Sequence, residues 1–278
     1  MLLAIDVGNT ETVIGLFARA GETVAPDDGG LAASGRSEAT RGLSHHWRLS
    51  TAHGRTPDEH AVLLTQLLDL EGLELSEVVA GIAISSSAPG VTGSLRTMAE
   101  RWFPSVPLVV LGPGVRSGMP ILYDNPREVG PDRIADAVAA YDLYGGPTII
   151  VDMGTATTFE AVSAEGEYLG GAIAPGVAIS MEALYSHAAA LRSVELIEPR
   201  SVIGRSTAES IQSGVLYGFA AQVDGMCARL TAELGECTVV ATGGLSALIA
   251  PHTSTVEHVE PWLTLHGLRI IFERNQES

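Results

Sequence analysis

Basic residues are scarce in this chain: 16 Lys and Arg stand against 33 Asp and Glu, a formal charge of −17. An acidic excess of that size repels nucleic acid and anionic membrane surfaces, so neither is expected as a partner. An anionic ligand has to meet locally placed arginines or a cation. Cysteine is nearly absent. Cys227 and Cys237 are too few for a disulfide framework and are expected as two reduced, packed thiols, which suits a cytoplasmic protein. Long apolar runs are missing as well. Met1–Ile5 is interrupted by Asp6 before it has the length of a signal peptide, and no stretch approaches a membrane span. Aromatics make up only 5%, yet 46% of the 278 residues are hydrophobic, enough to bury the cores of one large or two ordinary domains.

What is present is a repeated turn. Leu2–Ile5 is an apolar strand that ends in Asp6-Val7-Gly8-Asn9-Thr10, followed at once by the apolar Val13–Phe17. Strand, turn and strand read as a β-hairpin. Its tip offers backbone N–H groups and hydroxyls to an anion, while the carboxylate can hold a metal that shields the anion's charge. Taken alone, Gly-Asn is also an ordinary hairpin turn. The pattern recurs just past the midpoint, where Thr148-Ile149-Ile150-Val151 leads into Asp152-Met153-Gly154-Thr155-Ala156-Thr157-Thr158. Two similar halves opening on the same hairpin are the simplest organisation. This pattern resembles the acetate kinase, sugar kinase, heat-shock protein and actin superfamily. The resemblance implies an α/β fold of two tandem ribonuclease-H-like domains, expected at 1–146 and 147–278, with an ATP cleft between them.

Along the chain, 21–42 has no hydrophobic period and is expected as a surface excursion. His46–Thr51 is strand-like. Thr56-Pro57-Asp58-Glu59 has the form of a capping box with Pro at the first helical position. His45, His46, His53 and His60 fall nearby. With no cysteine and no same-face i, i+4 His pair, they are expected as surface residues and not as zinc ligands. Val78–Ser85 is a buried strand, and Ser85-Ser86-Ser87 after it is either a ligand loop or a plain turn. Gly130-Pro131-Asp132-Arg133 precedes Ile134, Ala137, Val138 and Tyr141, apolar at helical spacing. Asp132 and Arg133 therefore open an amphipathic helix, whose amino end stabilises a carboxylate. Asp132 is either a simple cap beside a solvated Arg133 or a base that orients a substrate hydroxyl while the arginine grips a carboxylate.

Taken in order, Asp6–Thr10, Trp47, Arg55-Thr56, Asp58-Glu59, Tyr123, Asn125-Pro126, Glu128–Gly130, Asp132–Ala135, Asp152, Gly154–Thr158, Gly170–Ile173, Pro175-Gly176, Ile203-Gly204, Thr207, Gln212–Gly214 and Thr242–Gly244 resemble the type III pantothenate kinases. That family phosphorylates the primary hydroxyl of pantothenate with ATP, the first step of coenzyme A synthesis, using Mg²⁺ and a monovalent cation such as K⁺ or NH₄⁺, and it works as a homodimer. The resemblance implies that Asp6, Val7, Gly8, Asn9, Thr10, Glu11, Thr12 and Val13 form a phosphate-binding hairpin, with Asp6 near Mg²⁺. It implies a pantothenate site at Gly130, Pro131, Asp132 and Arg133, with Asp132 as proton acceptor and Arg133 on the substrate carboxylate. Tyr123 and Thr207 become further pantothenate contacts, Asp152 the monovalent-cation ligand and Thr155 a second phosphate contact. Gly243 and Gly244 become the adenosine-side turn, although an ordinary strand-to-helix turn has the same form.

Several positions depart from that family's pattern. Pro131 replaces a small residue and is expected to stiffen the loop and remove a donor. Asp136 stands where Asn is common, and Ser206 where Asn precedes Thr207. A catalytically silent regulatory homologue and a kinase for a different acceptor are the competing readings. The presence of Asp6, Asp132 and Asp152 argues against the first, and the Gly-x-Asp-Arg placement against the second.

Overall fold

The computed structural model describes residues 1–18, 38–188 and 191–276, so most of the excursion expected at 21–42 lies outside the described residues. In chain order the strands are β1 (Leu2–Val7), β2 (Glu11–Phe17), β3 (Leu43–Ser50), β4 (Gly81–Ser86), β5 (Leu108–Val110), β6 (Thr148–Met153), β7 (Ala156–Val162), β8 (Tyr168–Pro175), β9 (Thr238–Thr242) and β10 (His258–Val259). The helices are α1 (Pro57–Leu70), α2 (Leu75–Val78), α3 (Pro89–Trp102), α4 (Pro131–Tyr144), α5 (Val177–His187), α6 (Thr207–Leu234), α7 (Ser246–Ile249) and α8 (Leu263–Gln276).

The strands form two five-stranded sheets, ordered β3-β2-β1-β4-β5 and β10-β9-β6-β7-β8. Read from β8, the second sheet repeats the first strand for strand. In each, a three-stranded antiparallel meander is extended by parallel strands on the far side of its first strand. The α/β fold is therefore two ribonuclease-H-like sheets. The sequence repeat at Asp6 and Asp152 marks the same topological place twice, the end of the first strand of each meander.

Packing divides the described chain into two units, 1–120 with 124–139 and 262–278, and 121–123 with 140–261. This differs from a division at 146/147, because the C-terminal helix returns to the first unit. On one face of the first sheet, Leu3, Ile5, Val7, Ile14 and Leu16 pack against Ala61, Leu64 and Leu68 of α1 and Val91, Leu95 and Met98 of α3. The capping box closes as expected. Thr56 N–H donates to Glu59 Oε2 at 2.7 Å, and Glu59 N–H donates to Thr56 Oγ1 at 3.3 Å. The other face carries small residues, and α8 lies on it, with Leu265 over Gly15 and Phe272 over Gly81. Helix α8 also crosses the first turns of α4 so closely that a Cβ on Gly267 would collide with the Ala135 carbonyl. Its last turn is held by Arg116 and Ser117: Asn275 Nδ2 donates to Arg116 O at 3.0 Å and Arg274 Nη1 to Ser117 O at 3.2 Å.

In the second unit Ile149, Val151, Met153 and Phe159 pack against Val177 and Met181 of α5 and Leu216, Ala220, Val223 and Cys227 of α6. Both cysteines are free. Burial pushes the Cys227 thiol up to about 11, so it behaves as an inert packed group, as its sequence context suggests. Helix α6 begins behind Ser206, whose Oγ accepts the Glu209 N–H at 3.2 Å. Its polar Gln212 and Ser213 donate to Glu195 O and Val202 O, at 2.8 and 2.6 Å, and so fasten the extended segment before it. Among the described residues no helix is long and apolar enough to cross a membrane.

Candidate active site

The first hairpin turns at Gly8, whose N–H donates to Glu11 O at 2.9 Å. Four successive carbonyls of the turn are taken up from behind. Ser87 N–H donates to Val7 O at 2.9 Å, Thr51 Oγ1 to Gly8 O at 2.7 Å, and Thr51 N–H to Thr10 O at 2.9 Å. His53 Nε2 lies 3.2 Å from Asn9 O, and the Thr12 and Thr51 hydroxyls are 2.9 Å apart. With its partially negative oxygens engaged by the scaffold, the turn is suited to meet an anion with N–H groups and hydroxyls. Asn9 and Thr10 are exposed. Thr51, His53 and Ser87 were not singled out by sequence for this role. The available signal was a hydroxyl at the end of each flanking strand. Asp6 sits one residue inside the strand end, paired in register with Val13 on β2 and Ser85 on β4.

Helix α4 presents the second candidate group of this unit. Pro131 is its first residue, a position where a missing N–H costs no helical hydrogen bond. The expected loss of a donor is therefore without consequence for the helix. Asp132 folds back so that its Oδ1 accepts the Arg133 N–H at 2.9 Å, and a Cβ on Gly130 would collide with that oxygen. Arg133 is buried, which excludes the reading of it as a solvated charge, and Asp136 one turn on is also buried.

The remaining candidates belong to the second unit. Asp152 sits one residue inside the end of β6, in register with Thr158 on β7 and Thr242 on β9. Gly243 follows β9 at φ +90°, and a Cβ there would collide with Asp152 Oδ1. The glycine turn assigned by resemblance to the adenosine side thus touches the carboxylate assigned to the cation, a juxtaposition that sequence spacing does not reveal. Ser246 Oγ donates to Gly243 O at 2.7 Å and fixes the turn. The Gly154-Thr155 turn rests on Gly176 at the start of α5. A Cβ on Gly170 would meet the Tyr123 ring at 3.4 Å, that ring lies 6.4 Å from the ring of Tyr168, and Thr207 is the exposed first residue of α6.

The histidines depart from expectation. His60 is buried, and His45 and His46 are half-buried on β3, where His46 packs on Trp262 with ring centroids 4.2 Å apart. Only His53 of the four is exposed. His60 lies among Ile5, Ile14, Leu64 and Val91, His45 shares its face of β3 with Trp47, and His46, on the polar face of that strand, is covered by Trp262. Among the described residues no group of three His, Cys, Asp or Glu could hold a metal. Each hairpin instead offers one aspartate beside a turn, since Glu11, the other carboxylate of the first, is paired with Arg48 at 3.1 Å. That donor set fits a hard cation that keeps most of its waters and completes its shell from substrate phosphate oxygens.

The sequence profile of the type III pantothenate kinases matches residues 2–229. A type III pantothenate kinase of Streptomyces griseus subsp. griseus is 51% identical, over 99% of this chain and 98% of its own. One from Myxococcus xanthus is 49% identical over the whole of both chains. Among solved structures, a ROK family glucokinase from Streptomyces griseus, in complex with glucose and AMPPNP, shares the fold. Its TM-score is 0.53 at 11% identity, over 98% of this chain and 99% of that one. With the profile covering most of its length and relatives at half identity over all of it, this chain belongs to the type III pantothenate kinase family.

Proposed function

We propose that this chain phosphorylates the primary hydroxyl of pantothenate with ATP, yielding 4'-phosphopantothenate for coenzyme A synthesis, in the cytoplasm. The observation that carries the proposal is the pair of Asp-x-Gly hairpins at the same topological place in two sheets, the first with its carbonyls engaged from behind. Residues 6–13 and Thr155 contact the ATP phosphates, and Gly243 and Gly244 lie on the adenosine side. Asp6 would hold hydrated Mg²⁺ and Asp152 would hold K⁺ or NH₄⁺, and these cations would supply charge neutralisation for the transferring phosphoryl group.

Arg133 and Tyr123, with Thr207, hold pantothenate, and Gly130 leaves room for the Asp132 carboxylate to swing toward the hydroxyl. A loose, in-line transfer asks mainly for positioning and charge neutralisation, so Asp132 orients the hydroxyl and takes its proton late. The protein acts as a homodimer. Edge strand β8 exposes Leu169 and Ile173, and α5 exposes Ile179 and Leu184, an apolar surface suited to a second copy of the chain.

The test is ADP release with ATP and Mg²⁺, with and without pantothenate, and with K⁺ or NH₄⁺ replacing Na⁺. Pantothenate-dependent turnover that needs the larger cation is expected. Asp132→Asn is expected to lower kcat by roughly 10²–10⁴-fold while leaving ATP binding in place. Turnover without regard to pantothenate would point to another acceptor, and an unchanged kcat in the variant would remove Asp132 as the base.

A further inference from the structure

The capping box at Thr56 and Glu59 pins the first turn of α1, which carries His60 inward. His60 is 7% exposed and its Nε2 has no hydrogen-bond partner. Burial, with help from the Arg55 guanidinium and against Glu59, pushes the imidazole down to about 4, so the ring is neutral at physiological pH. A neutral imidazole has one donor and one acceptor nitrogen, and leaving either unmet in the interior is costly. His60 lines a small cavity of about 20 Å³ in the first unit, together with Thr12, Leu49, Arg55, Leu64 and Val91. That is room for one water, and His60, Thr12 and Arg55 offer the polar partners such a water requires. Thr12 belongs to the first hairpin. Its hydroxyl meets that of Thr51, which donates to Gly8 O at the turn.

We propose that His60 is a positioning residue for this hairpin: through one buried water it holds Thr12, and through Thr12 and Thr51 it holds the Gly8 turn. The inference rests on the assignment of residues 6–13 to the ATP phosphates. His60 does not touch the nucleotide. Its ring sets the polar anchor beneath the turn, and the apolar remainder of the cavity wall leaves the water little choice of orientation.

The test uses the full chain, titrating ATP with Mg²⁺ calorimetrically into the wild type, His60→Leu, His60→Gln and Thr12→Val, with both KM values and the thermal midpoint measured at neutral pH. His60→Leu is expected to weaken ATP binding about three- to tenfold, the range one hydrogen bond supplies. The KM for pantothenate is expected to be unchanged, and His60→Gln, which restores a polar group, to bind ATP nearly as well as wild type. ATP binding lost in Thr12→Val but intact in His60→Leu overturns the role of His60 and leaves the hairpin assignment standing. Intact binding in both overturns the hairpin assignment, and the proposal with it. Equal loss in His60→Leu and His60→Gln also overturns the proposal, since hydrogen bonding would then be irrelevant. An atomic-resolution crystal structure gives an answer that does not depend on any variant folding: an ordered water on His60 Nε2 is expected, and a dry cavity overturns the proposal.

Discussion

At Gly243 two independent constraints act on one residue. A backbone at φ +90° strains any residue with a Cβ, at about 1–2 kcal/mol, and here the Cβ would also displace the Asp152 carboxylate. Gly243→Ala is therefore expected to lower stability by more than that amount in urea unfolding, because the Cβ also meets the Met153 backbone at 2.7 Å, and, with Asp152 in its proposed role, to raise the K⁺ concentration needed for half-maximal activity. Wild-type cation dependence in a destabilised variant would separate the turn from the cation site. His60 makes a prediction with a definite sign. Its pKa is lowered to about 4 in the folded chain from 6.5, so the unfolded chain binds the extra proton between those values. The stability it contributes is complete above about pH 6.5 and is lost as pH falls toward 4. Arg55 and Glu59 are the charged groups that act on it. His60→Gln is expected to flatten this acid limb, read from urea midpoints at several pH values between neutrality and pH 4.5. An unaltered slope would assign the limb to other groups.

The elements show why some departures from the family pattern matter little. Ser206 replaces a common Asn, yet both are strong N-caps, and the Ser206 hydroxyl accepts the Glu209 N–H as a cap should. Ser206→Ala is expected to cost about 1 kcal/mol of unfolding free energy and Ser206→Asn close to nothing. Equal values for the two variants would show that the cap is not what holds the start of α6. Pro131 is absorbed in the same way, as the first residue of α4. The capping box of α1, the apolar period of α4 and the strands around both Asp-x-Gly turns were legible because each depends on residues within one turn or one pleat. His60 was misread for the complementary reason. Whether a histidine four residues after an N-cap points to water or to a sheet depends on which face of the helix packs, and that is set by β1, β2 and α3.

At the scale of the molecule, the repeat was legible as two hairpins but the division of the chain was not. Helix α8 belongs by sequence to the second half and by packing to the first, because its apolar face fits the small-residue face of β1, β2 and β4. The proposed homodimer also belongs to this scale. Ile173 is 66% exposed on edge strand β8, with apolar neighbours on the same unit. Ile173→Asp is expected to shift the protein from dimer to monomer in sedimentation velocity while leaving its circular dichroism unchanged. A dimer of unaltered stability would place the interface elsewhere.

By itself the sequence determined what is local: the acidic balance, the two Asp-x-Gly turns and the helix that begins at Pro131. It also carried the ordered set of motifs that marks the family. These follow from backbone propensity, capping and spacing, which act over a few residues. Only the tertiary structure decided that Thr51 and Ser87 hold the first turn from behind, that Gly243 lies against Asp152, and that His60 is buried above a small cavity. Each of these joins residues far apart in the chain, and such contacts are chosen by which faces pack together.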